Sequence, residues 1–149
     1  MIDNKLYISA IVLAAGLSKR MIGKNKMLLS IGEDTLLRTT LKNIKKSNIS
    51  ATIVVLGNKS KLIDSSIKNL NMRTVYNSCF KKGLSGSIKK GIESLDNKSN
   101  AVIICLGDMP FITKNIYNHL ISFHKNKNSK LIIQPTFNSK KGNPVSFSS

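Results

Sequence analysis

The 149-residue sequence predicts a single Rossmann-like domain, a three-layer α/β/α fold around a mostly parallel sheet. Three observations lead there. Short apolar runs rich in β-branched residues alternate with stretches whose apolar residues recur every three or four positions. Residues 101–106 are continuously apolar, as a strand covered on both faces has to be. Two of the apolar runs pass directly into turns of small or acidic residues, which a doubly wound sheet would collect at the carboxyl ends of its strands, where such sheets bind ligands.

Taken in order, residues 8–13 read as a buried strand that leads into Ala14-Ala15-Gly16. Glu33, Asp34 and Thr35 offer a helix start, and Leu37, Leu41 and Ile44 line one face of that helix. Residues 51–56 form a compact strand that stops at Gly57. Ser60 is placed to cap a helix carrying Ile63, Ile67 and Leu70, and residues 73–76 give a short strand. Leu84, Ile88, Ile92 and Leu95 mark a third helix. Beyond the central strand, Thr113 caps a helix that turns Ile116, Leu120 and Ile121 inward, with His119 and His124 on its polar, surface side. Residues 130–135 and 144–147 supply two last strands. No repeat, linker or low-complexity tract divides the chain, and its length makes room for one core.

Composition narrows the class. The apolar fraction is 41%, no apolar run reaches the ~20 residues of a membrane helix, and residues 1–7 lack the pattern of a secretory signal. A cytoplasmic protein with no membrane partner is expected. Cys79 and Cys105 are far apart and not in metal-ligand spacing, and Cys105 reads as a buried thiol in a strand. A net charge of +17 suits a nucleic-acid partner. Against that, Ile, Lys, Asn and Ser make up 75 residues (19, 21, 16 and 19), and all four have A- or T-rich codons. The lysines are scattered, arginines number three and aromatics are few, so the charge reads as solvated surface that attracts polyanionic substrates.

Four segments carry chemistry. In the first, Ala14, Ala15 and Gly16 leave main-chain amides unshielded, Ser18 adds a hydroxyl, and Arg20, Lys24 and Lys26 add cations. Bare amides with several cations suit a triphosphate, although the glycine spacing of a Walker loop or a dinucleotide fingerprint is missing. The second is Leu106-Gly107-Asp108-Met109-Pro110. Asp108, one of seven acidic residues, fits a turn aspartate or a magnesium ligand about equally well. The third, residues 77–87, runs from Asn77 through Gly83 and Gly86 to Ser87 and frees the backbone at a helix start. The fourth is Lys141-Gly142-Asn143-Pro144-Val145, which fits a turn between strands.

The first segment, Leu13-Ala14-Ala15-Gly16 with Ser18, Arg20, Met21, Gly23 and Lys26, resembles the signature loop of the nucleotidyltransferase superfamily. Within it the chain is similar to the molybdenum cofactor cytidylyltransferase-like branch, whose pattern is L-A-A-G-x-S-x-R-M-G-x-x-K. Ile22 is an insertion relative to that pattern and moves Lys26 one position farther from Arg20. The other three segments resemble the branch's L-x-D-x-P, N-x-x-x-x-x-G-L-x-x-S and R-G-N-P-V, the last with Lys141 for Arg.

The resemblance implies a reaction: a phosphate oxygen of an acceptor attacks the α-phosphorus of a nucleoside triphosphate, and pyrophosphate leaves. Arg20, Lys26 and Asp108 would be catalytic, the first two against triphosphate charge and Asp108 as the ligand of Mg2+. Leu13, Ala14, Ala15, Gly16, Ser18, Asn77 and Gly83 would join Arg20 and Lys26 in nucleotide binding. Guanylyl-transferring relatives carry Gly where this chain has Ala15, so the resemblance favours CTP, with the molybdenum–molybdopterin phosphate as acceptor. Branch members continue past the fourth segment into a further acidic region, so the domain spanning 1–149 is expected to be short at its C-terminal side. The alternatives are a sugar or alcohol phosphate as acceptor, and a truncated, non-catalytic nucleotide- or nucleic-acid-binding domain. A nucleic-acid module would bind oligonucleotides with steep salt dependence and ignore Arg20→Ala.

Overall fold

Strand β1 (Ile8–Ala14) is buried along its whole length at the centre of the sheet, and the chain builds outward from it. The computed structural model describes residues 6–18, 23–125 and 130–148. A 3-10 turn (Lys26–Leu28) and a small ladder of β2 (Ser30–Ile31) with β3 (Asp34–Thr35) lead to α1 (Leu36–Lys45). Strand β4 (Ala51–Leu56), α2 (Ser60–Ile67) and β5 (Arg73–Tyr76) follow, then α3 (Leu84–Glu93) and β6 (Ala101–Leu106). Last come α4 (Lys114–Phe123), the two-residue β7 (Ile132–Ile133), the hairpin of β8 (Thr136–Phe137) and β9 (Lys140–Lys141), and β10 (Val145–Ser148).

The sheet order is β5-β4-β1-β6-β10-β7. Four neighbouring strands are parallel, with Ile11 level with Ile53 on one side and Ile104 on the other. Strand β10 runs antiparallel between β6 and β7. The chain steps outward from β1 to β4 and β5, then crosses back over β1 to β6. Right-handed crossovers in opposite directions place their helices on opposite faces. Accordingly the Val12 side of β1 packs on Leu37 and Leu41 of α1, Ile63 and Ile67 of α2 and Tyr117 of α4, while Ile11 and Leu13 face α3. The gap between β1 and β6, where the direction reverses, is the crevice such sheets use for ligands.

Local sequence explains most elements. Thr35 Oγ1 accepts the Arg38 N–H at 3.3 Å and caps α1, whose Leu37, Leu41 and Ile44 are buried as their spacing predicts. Ile63, Ile67 and Leu70 are buried too, but Lys59, in a left-handed conformation, is the cap of α2, and Ser60 is its first residue. Thr113 caps α4 without a side-chain hydrogen bond.

Four further expectations are corrected. Helix α3 turns Ser87 and Gly91 to the sheet, with Ile88 and Leu95 packed beside them as expected, but leaves Leu84 and Ile92 exposed. A Cβ on Gly91 would lie 2.4 Å from Ile11 Cγ2, so the missing side chain is what brings this helix down on the strand. Ile116 is exposed, and Tyr117 takes the inward place in α4. His124 is 3% exposed, its Nε2 paired with Ser146 Oγ at 2.9 Å, whereas His119 stays on the surface against Phe123. The expected strand over 130–135 is a ladder only at Ile132–Ile133, Pro135 having no N–H to extend it. Cys105 is buried, and burial pushes its thiol up to about 12. Among the described residues no helix is long and apolar enough to cross a membrane.

Candidate active site at the sheet rim

The carboxyl end of β1 is tied to the turns on both sides. Leu13 O accepts the Gly107 N–H at 3.0 Å, and Ala15 O accepts the Asn58 N–H at 3.3 Å. Strand alternation continues into the loop, so Leu13 and Ala15 face the α3 side and Ala14 is buried on the other. Gly16 is exposed.

Ser18 follows with a positive φ of 49°, and its Oγ accepts the Lys26 N–H at 3.0 Å. Asn25 Oδ1 accepts the Met27 N–H at 3.0 Å, which caps the 3-10 turn that Lys26 opens. From outside, Lys59 Nζ donates to Gly23 O at 3.1 Å. These bonds hold the backbone of Lys26 so that its Nζ lies 2.6 Å from Asp108 Oδ2. Side-chain exposures of 50% for Lys26 and 20% for Asp108 make the carboxylate the more enclosed partner. Arg20 lies outside the described residues.

Beside this pair opens a cavity of about 320 Å³. Leu13, Ala15, Gly16 and Leu17 form one wall, and Leu106 and Asp108 form the floor toward β6. The opposite wall is a 3-10 turn (Phe80–Lys82) and the start of α3: Phe80, Lys81, Gly83, Leu84 and Ser87. Gly83 has φ 113°, a conformation that side chains oppose, and it swings the chain into the helix. Asn77 is buried behind that wall: its Oδ1 accepts the Cys79 N–H at 3.0 Å, and its Nδ2 donates to Ser87 Oγ at 3.0 Å. The walls are largely apolar.

Of the residues singled out from sequence, Leu13, Ala15, Gly16, Gly83 and Asp108 line the cavity, and Lys26 reaches it through Asp108. Ala14, Ser18 and Asn77 stand outside its walls, the last two hydrogen-bonded within the frame. Lys81, inside the third segment, has no role in the sequence reading, and neither does Asn25, whose place just before a helical turn is a capping signal.

A doubly wound sheet with a cation–carboxylate pair at its reversal point is the class this architecture defines. The chain belongs to the family of MobA-like NTP transferase domains, which matches residues 10–149. It is 27% identical over 138 residues to the bifunctional protein GlmU of Acetivibrio thermocellus, covering 91% of this chain and 29% of the relative. The chain thus spans under a third of the length of the curated relatives it matches, GlmU of Staphylococcus epidermidis among them at 27%. Among solved structures, Rv0371c of Mycobacterium tuberculosis superposes with a TM-score of 0.83 at 22% identity, over 96% of this chain and 71% of that one. The same protein has been solved with manganese. A 4-diphosphocytidyl-2C-methyl-D-erythritol synthase of Anaerococcus prevotii gives 0.71 at 22% identity, over 99% and 71%.

Proposed function

We propose that the chain transfers a nucleotidyl group, with CTP as donor, to a phosphate of an acceptor, and that the rim between β1 and β6 is where it does so. The single observation carrying this is the placement of Lys26 Nζ against Asp108 Oδ2, a residue that lines the cavity. A cation and a carboxylate there are what a triphosphate and its metal need. In the reaction, an acceptor phosphate oxygen forms a bond to the α-phosphorus, the bond from that phosphorus to the bridging oxygen breaks, and pyrophosphate departs. The acceptor supplies the nucleophile, so the protein's work is alignment and charge neutralisation. Lys26, with Arg20, stabilises charge on the triphosphate. Ala15, Gly16 and Leu17 and the wall at the start of α3 receive the nucleoside, with Ala14 and Ser18 framing that loop.

Asp108 would hold Mg2+. The donor chemistry fits: the carboxylate oxygen lies beside the cavity and already carries a cation, the lysine ammonium. A lone carboxylate suits a hard ion that completes its shell with substrate phosphates and water. When bound, that ion draws charge from the phosphate oxygens.

For the base, the Ala15 methyl on the cavity wall narrows it toward a pyrimidine, and the diphosphocytidyl product named for the Anaerococcus relative supports the same choice. For the acceptor, the branch resemblance favours the phosphate of molybdenum-bound molybdopterin. The likeness to GlmU favours a second reading, in which a sugar phosphate takes its place. Pyrophosphate release from CTP, GTP and UTP with each acceptor, magnesium present, tests the assignment. CTP is expected to turn over fastest, and Asp108→Asn and Lys26→Ala are each expected to slow it by a hundredfold or more, on the order of one lost electrostatic contact to the transition state. Release unaffected by either substitution would refute it.

A further inference from the structure

In the structure Asp108 Oδ2 is engaged by the Lys26 ammonium at 2.6 Å. More than charge keeps it there. The lysine's own N–H is spent on Ser18 Oγ, Asn25 caps the turn it opens, and Lys59 braces the preceding Gly23 carbonyl. We propose that Lys26 is the resident counter-cation of Asp108, a latch that keeps a divalent metal off the carboxylate until a triphosphate draws the ammonium away. The inference rests on Asp108 being the metal ligand of the site described above.

An ammonium and a metal ion compete for the same oxygen and repel one another, so metal arriving alone has to displace the lysine. A triphosphate gives the ammonium other oxygens to bind. Each ligand then improves the other's affinity by the same factor, as linkage requires, and metal and nucleotide load together. A partly exposed ion pair contributes modestly, so the latch changes metal affinity about two- to fivefold rather than by orders of magnitude. Long-range repulsion from neighbouring lysines is a separate effect. Lys24, exposed and two residues away, measures it.

Mn2+ binding to the full chain without nucleotide, followed by the electron paramagnetic resonance of the free ion, is the test. Lys26→Met is expected to bind Mn2+ about two- to fivefold tighter than the parent, Lys24→Met by less, and Lys26→Arg no tighter. Asp108→Asn should abolish the gain when combined with Lys26→Met. Adding CTP should tighten Mn2+ binding more in the parent than in Lys26→Met. If Lys26→Met gains no more than Lys24→Met while Asp108→Asn still removes binding, the latch is wrong and the metal assignment stands. If Asp108→Asn leaves the Mn2+ affinity of Lys26→Met unchanged, Asp108 is not the ligand and both ideas fall.

Discussion

His124 makes a measurable claim at the scale of one residue. Burial holds its imidazole below the usual histidine value of 6.5, and its Nδ1 has no hydrogen-bond partner among the described residues, while Nε2 meets Ser146 Oγ. Below 6.5 the unfolded chain therefore binds more protons than the folded one. Stability is fully present above that value and is lost as pH falls through it toward the depressed folded value. Urea midpoints should drop between about pH 7.5 and pH 5, and a His124→Gln variant, weaker at the start, should show a shallower slope. Parallel slopes would assign the pH dependence elsewhere. The buried place of this histidine was open to a reader of the sequence, because Tyr117, Leu120, Ile121 and His124 continue one helical face. A surface reading stops that face one residue too soon. Asp108 was equally visible as a position but not as a pair, since its lysine partner is 82 positions away in the chain numbering (108 minus 26) and only the fold joins them.

Elements were legible where one apolar face decides them. Strands β4, β5 and β6 and the inward stripe of α1 match their sequence patterns, because burial on one side or both leaves no other arrangement of those residues. Helix α3 follows its hydrophobic spacing only in part, because its closest contact is made by an absence. Of the spaced residues, Ile88 and Leu95 pack on the core while Leu84 and Ile92 are exposed, and the sheet is met most closely by Ser87 and Gly91, a smaller surface that brings the axis closer. Gly91→Ala tests that geometry. Alanine favours helix by about 1 kcal/mol, yet its Cβ would meet the fully buried Ile11, and overpacking of this kind costs about 1–3 kcal/mol. Denaturant unfolding is expected to show a net loss, and Ile11→Ala combined with Gly91→Ala should cost less than the two single losses summed. Additive losses would mean that α3 does not sit on Ile11.

Over the whole molecule, the decisive feature is the order in which strands are laid down. Two outward steps and one return leave a crevice between β1 and β6, and the two chemically distinctive turns of the chain both open on it. Strand alternation in the sequence is enough to predict a mostly parallel sheet. It does not by itself bring residues 77–87 against the β1 loop, because that wall is set by a crossover, so Phe80 and Lys81 become lining residues only in the folded chain. The +17 charge belongs to this scale as well: spread along the chain, it raises the local concentration of any polyanion. The most direct test of a shared metal–triphosphate site is calorimetric titration of CTP into the protein and its Asp108→Asn variant, each with and without Mg2+. The metal should tighten CTP binding to the parent at least tenfold, on the order of 1.4 kcal/mol, and leave the variant's affinity unchanged. An equal metal-dependent gain in both would contradict such a site at this rim.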